Sequence, residues 1–264
     1  MVKQVDIFSD GNLSNRAYME DFTSVLKIWF KNRYYKFYVL CDGHGGSEAA
    51  KAVLENFKDL FEEIHENNPS EGIFWTFSAT FEKLDKTLHV LGIKKSGTTI
   101  NIVFILNENG FDNLYSVNLG DSKAILVSST GGTELSSEHK PSLPSEIDRI
   151  RSEGGNIING RLAGKFSLSR ALGNLETKSI HPGMSITPHV SRAQLDSLDR
   201  FVILCSDGVT DVISNGEMVN CIDFWEASNS IRKESTIAEF ICNVALFRGS
   251  MDNVTCMVLT LGGA

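Results

Sequence analysis

The chain has 264 residues, of which 42% are hydrophobic, so it can bury one large core or two small ones. The net charge of −8 argues against nucleic acid or an anionic membrane as the main partner. No apolar run approaches the ~20 residues of a membrane span, and the N-terminus lacks a signal-peptide pattern.

The five cysteines show no Cys-x-x-Cys spacing, and three lie in apolar runs typical of strands. They therefore indicate reduced core residues of an intracellular protein, not disulfides or a zinc site. The sequence shows no repeat, low-complexity tract or linker. We expect one domain, residues 1–264, without a regulatory tail, acting as a monomer in the cytoplasm or the nucleus.

In chain order, the first third combines strand patterns with two helical ones. The predicted strands cover residues 5–8, 22–30 and 35–41. The third of these is continuously apolar and ends abruptly at Asp42-Gly43-His44-Gly45-Gly46, a loop whose glycines allow another group to approach the backbone. Two amphipathic helices follow, one after Ser47 and one from Pro69.

The rest of the chain adds strands joined by short turns, and three further helices. Strands are predicted at residues 100–106, 114–119, 123–127, 201–205 and 254–261. Helices are predicted from Pro144, from the capping box Ser214-Asn215-Gly216-Glu217, and over 235–247, whereas 174–189 is typical of an irregular surface loop. Hairpin-linked strands interrupted by helix pairs indicate an α+β fold with mainly antiparallel sheets.

Acidic residues border five of the predicted strands. They are Glu20 and Asp21 before 22–30, Asp42 after 35–41, Asp121 after 114–119, Asp207 after 201–205 and Asp252 before 254–261. Each alone is an ordinary turn former or helix cap. If the strand ends converge, however, the carboxylates repel one another and their pKa values rise unless cations lie between them. Oxygen ligands without a Cys or His cluster favour Mg²⁺ or Mn²⁺, and several carboxylates indicate two ions, which can activate water for displacement at phosphorus.

Two further residues suit phosphate chemistry. Arg16 lies four residues before Glu20, so the same loop can bring a bidentate guanidinium to the site; a solvated loop arginine is the alternative. His44 lies two residues after Asp42 and can titrate near neutrality, which suits a general acid for a seryl or threonyl oxygen. A histidine that caps the following helix is the alternative for His44.

Nine short segments, spread over almost the whole chain, occur in one particular order. They are Arg16-x-x-Met19-Glu20-Asp21, Asp42-Gly43-His44-Gly45-Gly46, Ser96-Gly97-Thr98-Thr99, Asn118-Leu119-Gly120-Asp121-Ser122, His139-Lys140-Pro141, Glu153-Gly154-Gly155, Ser169-Arg170-Ala171-Leu172-Gly173, Ser206-Asp207-Gly208 with Asp211, and Asp252-Asn253. In residue types and order they resemble the metal-dependent Ser/Thr protein phosphatases of type 2C.

The resemblance implies two packed antiparallel sheets flanked by helix pairs, a four-layer αββα arrangement with a binuclear metal site at one edge. It implies that Asp42 bridges the two ions and that Asp207 and Asp252 complete one coordination sphere. Glu20 and the backbone carbonyl of Gly43 are then expected to serve the other ion.

The same resemblance assigns roles to residues around the metals. Arg16 is expected to hold the substrate phosphate, and His44 to protonate the leaving group. Asp121, with Asp211, matches the position of a third, weaker metal. The residues expected to orient ligands or waters are Asp21 and Thr99.

The chain departs from the family pattern at three places. Thr210 stands where many eukaryotic members carry tryptophan, and Asn174 stands where an acid is common. Neither is an expected ligand. Residues 174–189 resemble the variable flap beside the site and depart most, so substrate preference cannot be carried over.

The resemblance favours an active phosphatase, in which water held by two Mg²⁺ or Mn²⁺ ions attacks phosphoserine or phosphothreonine of a protein substrate without a covalent enzyme intermediate. A pseudophosphatase acting as a scaffold is the alternative, and it predicts lost metal ligands. A two-metal nuclease would require a basic surface for nucleic acid, and the net charge of −8 argues against one.

Overall fold

The structure, a computed structural model, describes residues 1–229 and 235–262. The strands of this part are β1 (Val2–Asp10), β2 (Asp21–Phe30), β3 (Arg33–His44), β4 (Gly97–Thr98), β5 (Ile100–Glu108), β6 (Phe111–Leu119), β7 (Lys123–Ser128), β8 (Gly131–Glu134), β9 (Ile157–Ile158), β10 (Arg161–Leu162), β11 (Leu172–Gly173), β12 (His189–Gln194), β13 (Asp199–Cys205) and β14 (Val254–Leu261). The helices are α1 (Glu48–Asn67), α2 (Ile73–Val90), α3 (Pro144–Ser152), α4 (Leu175–Lys178), α5 (Asp207–Thr210), α6 (Asn215–Asn229) and α7 (Ile237–Phe247).

The larger sheet has seven strands and is built around β3. Its order is β11-β4-β3-β5-β6-β12, with β2 paired to β3. The β2–β3 hairpin turns at Lys31 and Asn32, whose φ values of 48° and 62° are those of a type I′ turn. The antiparallel register of this hairpin sets Asp21 opposite Asp42. Two of the predicted site residues are therefore cross-strand neighbours.

The second sheet has five antiparallel strands in the order β1-β14-β13-β7-β8 and packs face to face on the first. The interface between the sheets contains Tyr38 and Leu40 of β3 together with Val202 and Leu204 of β13. The alternate residues of β3, such as Val39, face the opposite core. Both faces of β3 are buried, which explains why its sequence is a continuous apolar run.

A helix pair covers the outer face of each sheet. Helices α1 and α2 pack on the seven-stranded sheet through an aromatic core that includes Phe57, Phe61 and Phe77. Helices α6 and α7 pack on the five-stranded sheet through residues such as Ile222 and Ile241. The predicted α+β fold, with mainly antiparallel sheets in four layers, is confirmed.

Residues 144–188, here named the side lobe, form a small unit that is joined to the larger sheet through β11. Its core joins α3, β10 and the following loop through Ile150, Leu162, Leu168, Ala171 and Met184. The loop predicted at 174–189 contains one helical turn, α4, and runs into β12 at His189. That edge strand escaped prediction because its sequence, HVSRAQ, is short and polar.

The predicted start of the second long helix at Pro69 is wrong by a few residues. The amide of Glu71 donates to the carbonyl of Asn68, so this stretch is a turn. Gly72 is extended, with ψ of 163°, and α2 begins at Ile73. Among the described residues, every helix is too short or too polar to cross a lipid bilayer.

Candidate metal centre

Three predicted carboxylates meet where the two sheets end at the same edge. Asp42 lies near the end of β3, Asp121 follows β6, and Asp207 follows β13 at the start of α5. Carboxylate oxygens of these three side chains lie within 4.8 Å of one another. Together with Asp252, they line a cleft of about 280 Å³.

Burial and mutual repulsion disturb the acidity of this cluster. Desolvation, followed by the charge of Asp207, raises the pKa of Asp42 well above its usual value. Desolvation and then the charge of Asp121 do the same to Asp207. Desolvation also raises the pKa of Asp21 and of Asp121 to about 6. The cluster is therefore costly to ionise without cations.

The donor set fits divalent metal ions. The Oδ2 atoms of Asp21 and Asp121 are buried and have no hydrogen-bond partner among the described residues. Buried polar atoms are usually paired, so an unpartnered oxygen on Asp121, and a second on Asp21 opposite Asp42, fit the donor set of a cation site. Oxygen donors of this kind suit Mg²⁺ or Mn²⁺.

Thr99 connects the strand of Asp42 to the turn of Asp121. The amide of Asp42 donates to Thr99 Oγ1 at 3.2 Å, and the amide of Thr99 donates to the carbonyl of Asp42 at 2.9 Å. The Thr99 hydroxyl also lies 2.9 Å from that of Ser122, next to Asp121. Thr99 thus sets the relative position of two carboxylates without lining the cleft itself.

Glu20 lies against the loop that follows β3. The amide of Gly43 donates to the Glu20 carbonyl at 3.1 Å, and a Cβ on Gly43 would come within 2.5 Å of that oxygen. Only glycine fits there. The Glu20 carboxylate accepts a bond from the amide of Gly46 at 2.6 Å and does not line the cleft. Of the two residues expected to serve one ion, Gly43 lines the cleft and Glu20 lies behind it.

Asn253 organises the same corner and was not predicted as a site residue. Its Oδ1 accepts from the amide of Glu20 at 2.9 Å, and its Nδ2 donates to the carbonyls of Gly11 at 2.7 Å and Tyr18 at 3.2 Å. It therefore ties the loop before β2 to the loop before β14. The sequence feature that could have identified Asn253 was its position directly after Asp252, in the last of the nine segments.

Arg16 reaches the cleft and pairs with Asp252. Its Nε also donates to the carbonyl of Met251 at 3.3 Å. The guanidinium thus faces the carboxylate cluster, as expected from its position four residues before Glu20.

Asp211 lies at the margin of the site. Its side chain is 60% exposed and pairs with Lys140 Nζ at 3.1 Å. It does not line the cleft, yet its charge contributes to raising the pKa of both Asp121 and Asp207. Of the two residues expected to bind a third metal, Asp121 thus belongs to the carboxylate cluster and Asp211 lies beside it.

His44 lines the cleft and is held by Asn174 of the side lobe. Nε2 of His44 lies 2.7 Å from Oδ1 of Asn174, while Nδ2 of Asn174 donates to the carbonyl of Lys95 at 3.2 Å. Since that second bond occupies the amide nitrogen, Oδ1 is the acceptor and Nε2 carries a proton. Burial and the nearby Lys178 and Lys165 lower the pKa of His44, although the bond to Asn174 opposes them.

Comparison with known proteins agrees with this arrangement. The family model described as "Protein phosphatase 2C" matches residues 6–254. An integrin-linked kinase-associated serine/threonine phosphatase 2C of Bos taurus is 31% identical over 251 residues, covering 86% of this chain and 66% of that protein. Probable protein phosphatase 2C 52 of Oryza sativa is 30% identical over 92% of this chain and 48% of that protein. The chain thus spans between about half and two thirds of the length of these relatives.

Solved structures share the fold. A C. elegans sex determining protein superposes with a TM-score of 0.85 at 24% identity, over 98% of this chain and 65% of that one. A serine-threonine phosphatase 2C from Toxoplasma gondii superposes with a TM-score of 0.75 at 21% identity, over 98% and 94% of the two chains. With the family model covering most of its length and aspartates clustered at the edge of the sandwich, this chain belongs to the protein phosphatase 2C family.

Proposed function

We propose that this chain is a metal-dependent protein phosphatase that hydrolyses phosphoserine and phosphothreonine in protein substrates. The observation that carries the proposal is the meeting of the Asp42, Asp121 and Asp207 carboxylates in a cleft that also contains Arg16 and His44. Family membership supports the reaction class. The scaffold alternative predicts lost ligands, whereas every expected metal-binding carboxylate is present in the sequence.

The proposed metal centre holds two Mg²⁺ or Mn²⁺ ions. Asp42 would contact both ions, Asp207 and Asp252 would bind one, and Glu20 with the Gly43 carbonyl would serve the other. Asp121 and Asp211 are proposed for a weaker third ion, and Asp21 and Thr99 for positioning the ligands. When bound, the ions supply activation of water and neutralisation of charge for in-line displacement at phosphorus.

Arg16 and His44 are proposed to act on the substrate itself. Arg16 pairs with the Asp252 carboxylate through one nitrogen in the structure, and its planar fork has the geometry to bind two oxygens of a phosphate. Nε2–H of His44 donates a hydrogen bond to Asn174 Oδ1. Nδ1 is therefore the ring nitrogen left to donate a proton to the leaving oxygen. A bound phosphate dianion favours the protonated imidazole that this step needs.

The extent of the domain, its oligomeric state and its cellular compartment form part of the same proposal. We infer that residues 1–264 act as one catalytic domain and as a monomer, and that the protein works in the cytoplasm or the nucleus. The spacing of the cysteines supports a reducing compartment, and the acidic net charge supports protein substrates over nucleic acid.

A phosphopeptide assay tests the proposed function. With Mn²⁺, the protein is expected to release phosphate from a phosphothreonine peptide, and a chelator is expected to stop the release. Asp207→Asn should lower turnover by about 100-fold or more, because it removes a ligand charge from the centre. Asp59→Asn, an exposed acid on α1, is the matched control. Unchanged turnover in Asp207→Asn, or turnover indifferent to the chelator, would overturn the metal-dependent mechanism.

A further inference from the structure

Two lysines line the metal cleft without an acidic partner. Lys95 precedes β4 and Lys165 lies in the side lobe, and both are exposed. Neither ammonium group forms an ion pair with any carboxylate in residues 1–229 or 235–262. Both charges are therefore free to meet a ligand in the cleft.

Other cations near the cleft are already neutralised. Arg16 pairs with Asp252. Lys178 binds Asp85 at 2.8 Å and the carbonyl of Ala171 at 3.0 Å. The Lys178 contacts belong to the fold, and Arg16 is the residue proposed to bind the phosphate that is removed, whereas the ammonium groups of Lys95 and Lys165 have no acidic partner in the described chain.

The backbones that carry the two lysines are firmly held. The carbonyl of Lys95 accepts from Asn174 Nδ2 at 3.2 Å. The amide of Lys165 donates to Leu162 at 3.0 Å, and its carbonyl accepts from Arg161 at 2.9 Å. Since the attachment points are fixed, an anion bound by the side chains costs little backbone entropy.

The Lys165 side chain and the Lys95 backbone lie close to His44. The His44 ring meets the Phe166 ring edge-on at 6.3 Å, and Lys165 Nζ lies 5.0 Å from the centre of that Phe166 ring. On the Lys95 side, a Cβ on Gly45 would lie 3.5 Å from the Lys95 carbonyl, so the two backbones are in contact. Under the proposed function, the leaving oxygen of the substrate departs at His44. Residues that flank the phosphorylated side chain would therefore pass these lysines.

We propose that Lys95 and Lys165 bind a second negative group of the substrate, a carboxylate or another phosphate, close in sequence to the phosphorylated residue. This inference rests on the proposed function. The net charge of −8 repels acidic peptides overall, so a preference for them requires a local positive site. Beyond Lys95 the neighbouring groove is lined by Lys94 together with Glu48 and Glu176, so acidic side chains offset the positive charge there.

Three matched phosphothreonine peptides test the proposal. One carries aspartates beside the phosphothreonine, one carries a phosphoserine there, and one carries asparagines. With Mn²⁺, we expect kcat/KM for one or both acidic peptides to exceed that for the neutral peptide by about five- to tenfold, as two exposed ion pairs allow. The ratio should shrink as ionic strength rises. The peptide that gains more identifies the preferred group, carboxylate or phosphate.

The double variant Lys95→Gln/Lys165→Gln should bring the acidic-to-neutral ratio to within about twofold of one, mainly through KM. Lys86→Gln, an exposed lysine on α2 outside the cleft, should keep the wild-type ratio. A wild-type enzyme that hydrolyses all three peptides equally well, or a double variant that keeps the preference, overturns the anion site alone. If no peptide is hydrolysed with Mn²⁺, the proposed function is wrong, and the proposal of an anion site is wrong as well.

Discussion

His44 and Asn174 are 130 residues apart in the chain, yet Nε2 of the first lies 2.7 Å from Oδ1 of the second. The contact joins the end of β3 to the side lobe. Asn174 has a φ of 53°, a left-handed conformation that asparagine tolerates better than most residues. A Cβ on Gly97 would lie 2.0 Å from Asn174 Oδ1, so any side chain at position 97 would displace the Asn174 amide that holds His44. The side lobe therefore takes part in aligning the proposed acid.

Replacing the acceptor should weaken the acid step selectively. We expect Asn174→Ala to lower kcat for a phosphothreonine peptide by about tenfold, because the imidazole loses its alignment. The kcat for p-nitrophenyl phosphate, whose leaving group needs little protonation, should fall by less than about threefold. Asn174→Asp keeps an acceptor oxygen and should restore peptide turnover to within about threefold of wild type. Equal losses on both substrates, without rescue by aspartate, would contradict a positioning role.

Removing the imidazole should have the larger effect. His44→Ala is expected to reduce kcat for the phosphopeptide by about 100-fold and that for p-nitrophenyl phosphate by less than about tenfold. Steady-state kinetics on both substrates measure this difference. His89→Ala, an exposed histidine in the last turn of α2, should leave both rates unchanged. If His44→Ala impaired both substrates to the same degree, His44 would not be the acid.

The aspartate cluster should destabilise the metal-free protein at neutral pH. Because the pKa values of Asp21 and Asp121 rise to about 6 and that of Asp207 also rises, the folded state holds protons that the unfolded state releases. Proton binding to these aspartates therefore stabilises the metal-free folded state fully below about pH 4. That stabilisation is lost as pH rises through 6 and above. Asp207→Asn should therefore raise the metal-free Tm at pH 8 relative to wild type, by about 2–4 °C for each kcal/mol of repulsion and desolvation that the substitution removes.

Calorimetry with and without Mn²⁺ checks this prediction. Wild type should gain more in Tm from Mn²⁺ than Asp207→Asn does, because the variant has lost a ligand. At pH 5 the difference in metal-free Tm should be smaller than at pH 8. Titrating groups away from the cluster are common to both proteins and cancel, whereas Asp42 also loses the repulsion of Asp207 in the variant, so the comparison measures the cluster as a whole. A metal-free Tm of Asp207→Asn below wild type at pH 8 would show that repulsion in the cluster is not the dominant effect.

A buried ion cluster should make the side lobe sensitive to acid. Burial by itself raises the pKa of Glu146, but bonds from Arg170, Arg149 and Ser169 outweigh it and hold the pKa well below its usual range. The resulting stabilisation is present above about pH 4.5 and is lost as pH falls further. Glu146→Gln should cost about 3 kcal/mol at pH 7, because two half-buried arginines lose the charge of their buried partner.

Denaturant unfolding at pH 7 and at lower pH measures this cost. Glu153→Gln is the matched control, since Glu153 pairs with the same Arg149 at 2.9 Å but is 44% exposed. It should change the free energy of unfolding by less than about 0.5 kcal/mol. The gap between wild type and Glu146→Gln should narrow as pH falls below 4.5. Similar costs for the two variants at pH 7 would contradict the importance of burial.

Much of the architecture could be predicted from local pattern. The strand that carries Asp42 was predictable because both of its faces are buried, which demands a continuous apolar run, although it continues two residues further, to His44. The capping box at Ser214 predicted the start of α6, where the Ser214 amide donates to a Glu217 Oε2 at 2.9 Å. The start of α2 was misplaced because the turn at 68–71 depends on a backbone bond, not on a residue pattern.

The sequence by itself determined an α+β fold of mainly antiparallel strands and the type of chemistry, since burial periodicity and acids at strand ends are local features, and the four layers were implied by the family resemblance. Only the tertiary structure decided which groups meet. It placed Asp121 inside the carboxylate cluster and Asp211 beside it, gave His44 its acceptor, and brought Lys95 and Lys165 to one cleft unpaired. Such distances depend on strand register and on the packing of one sheet against the other, and these are properties of the whole chain.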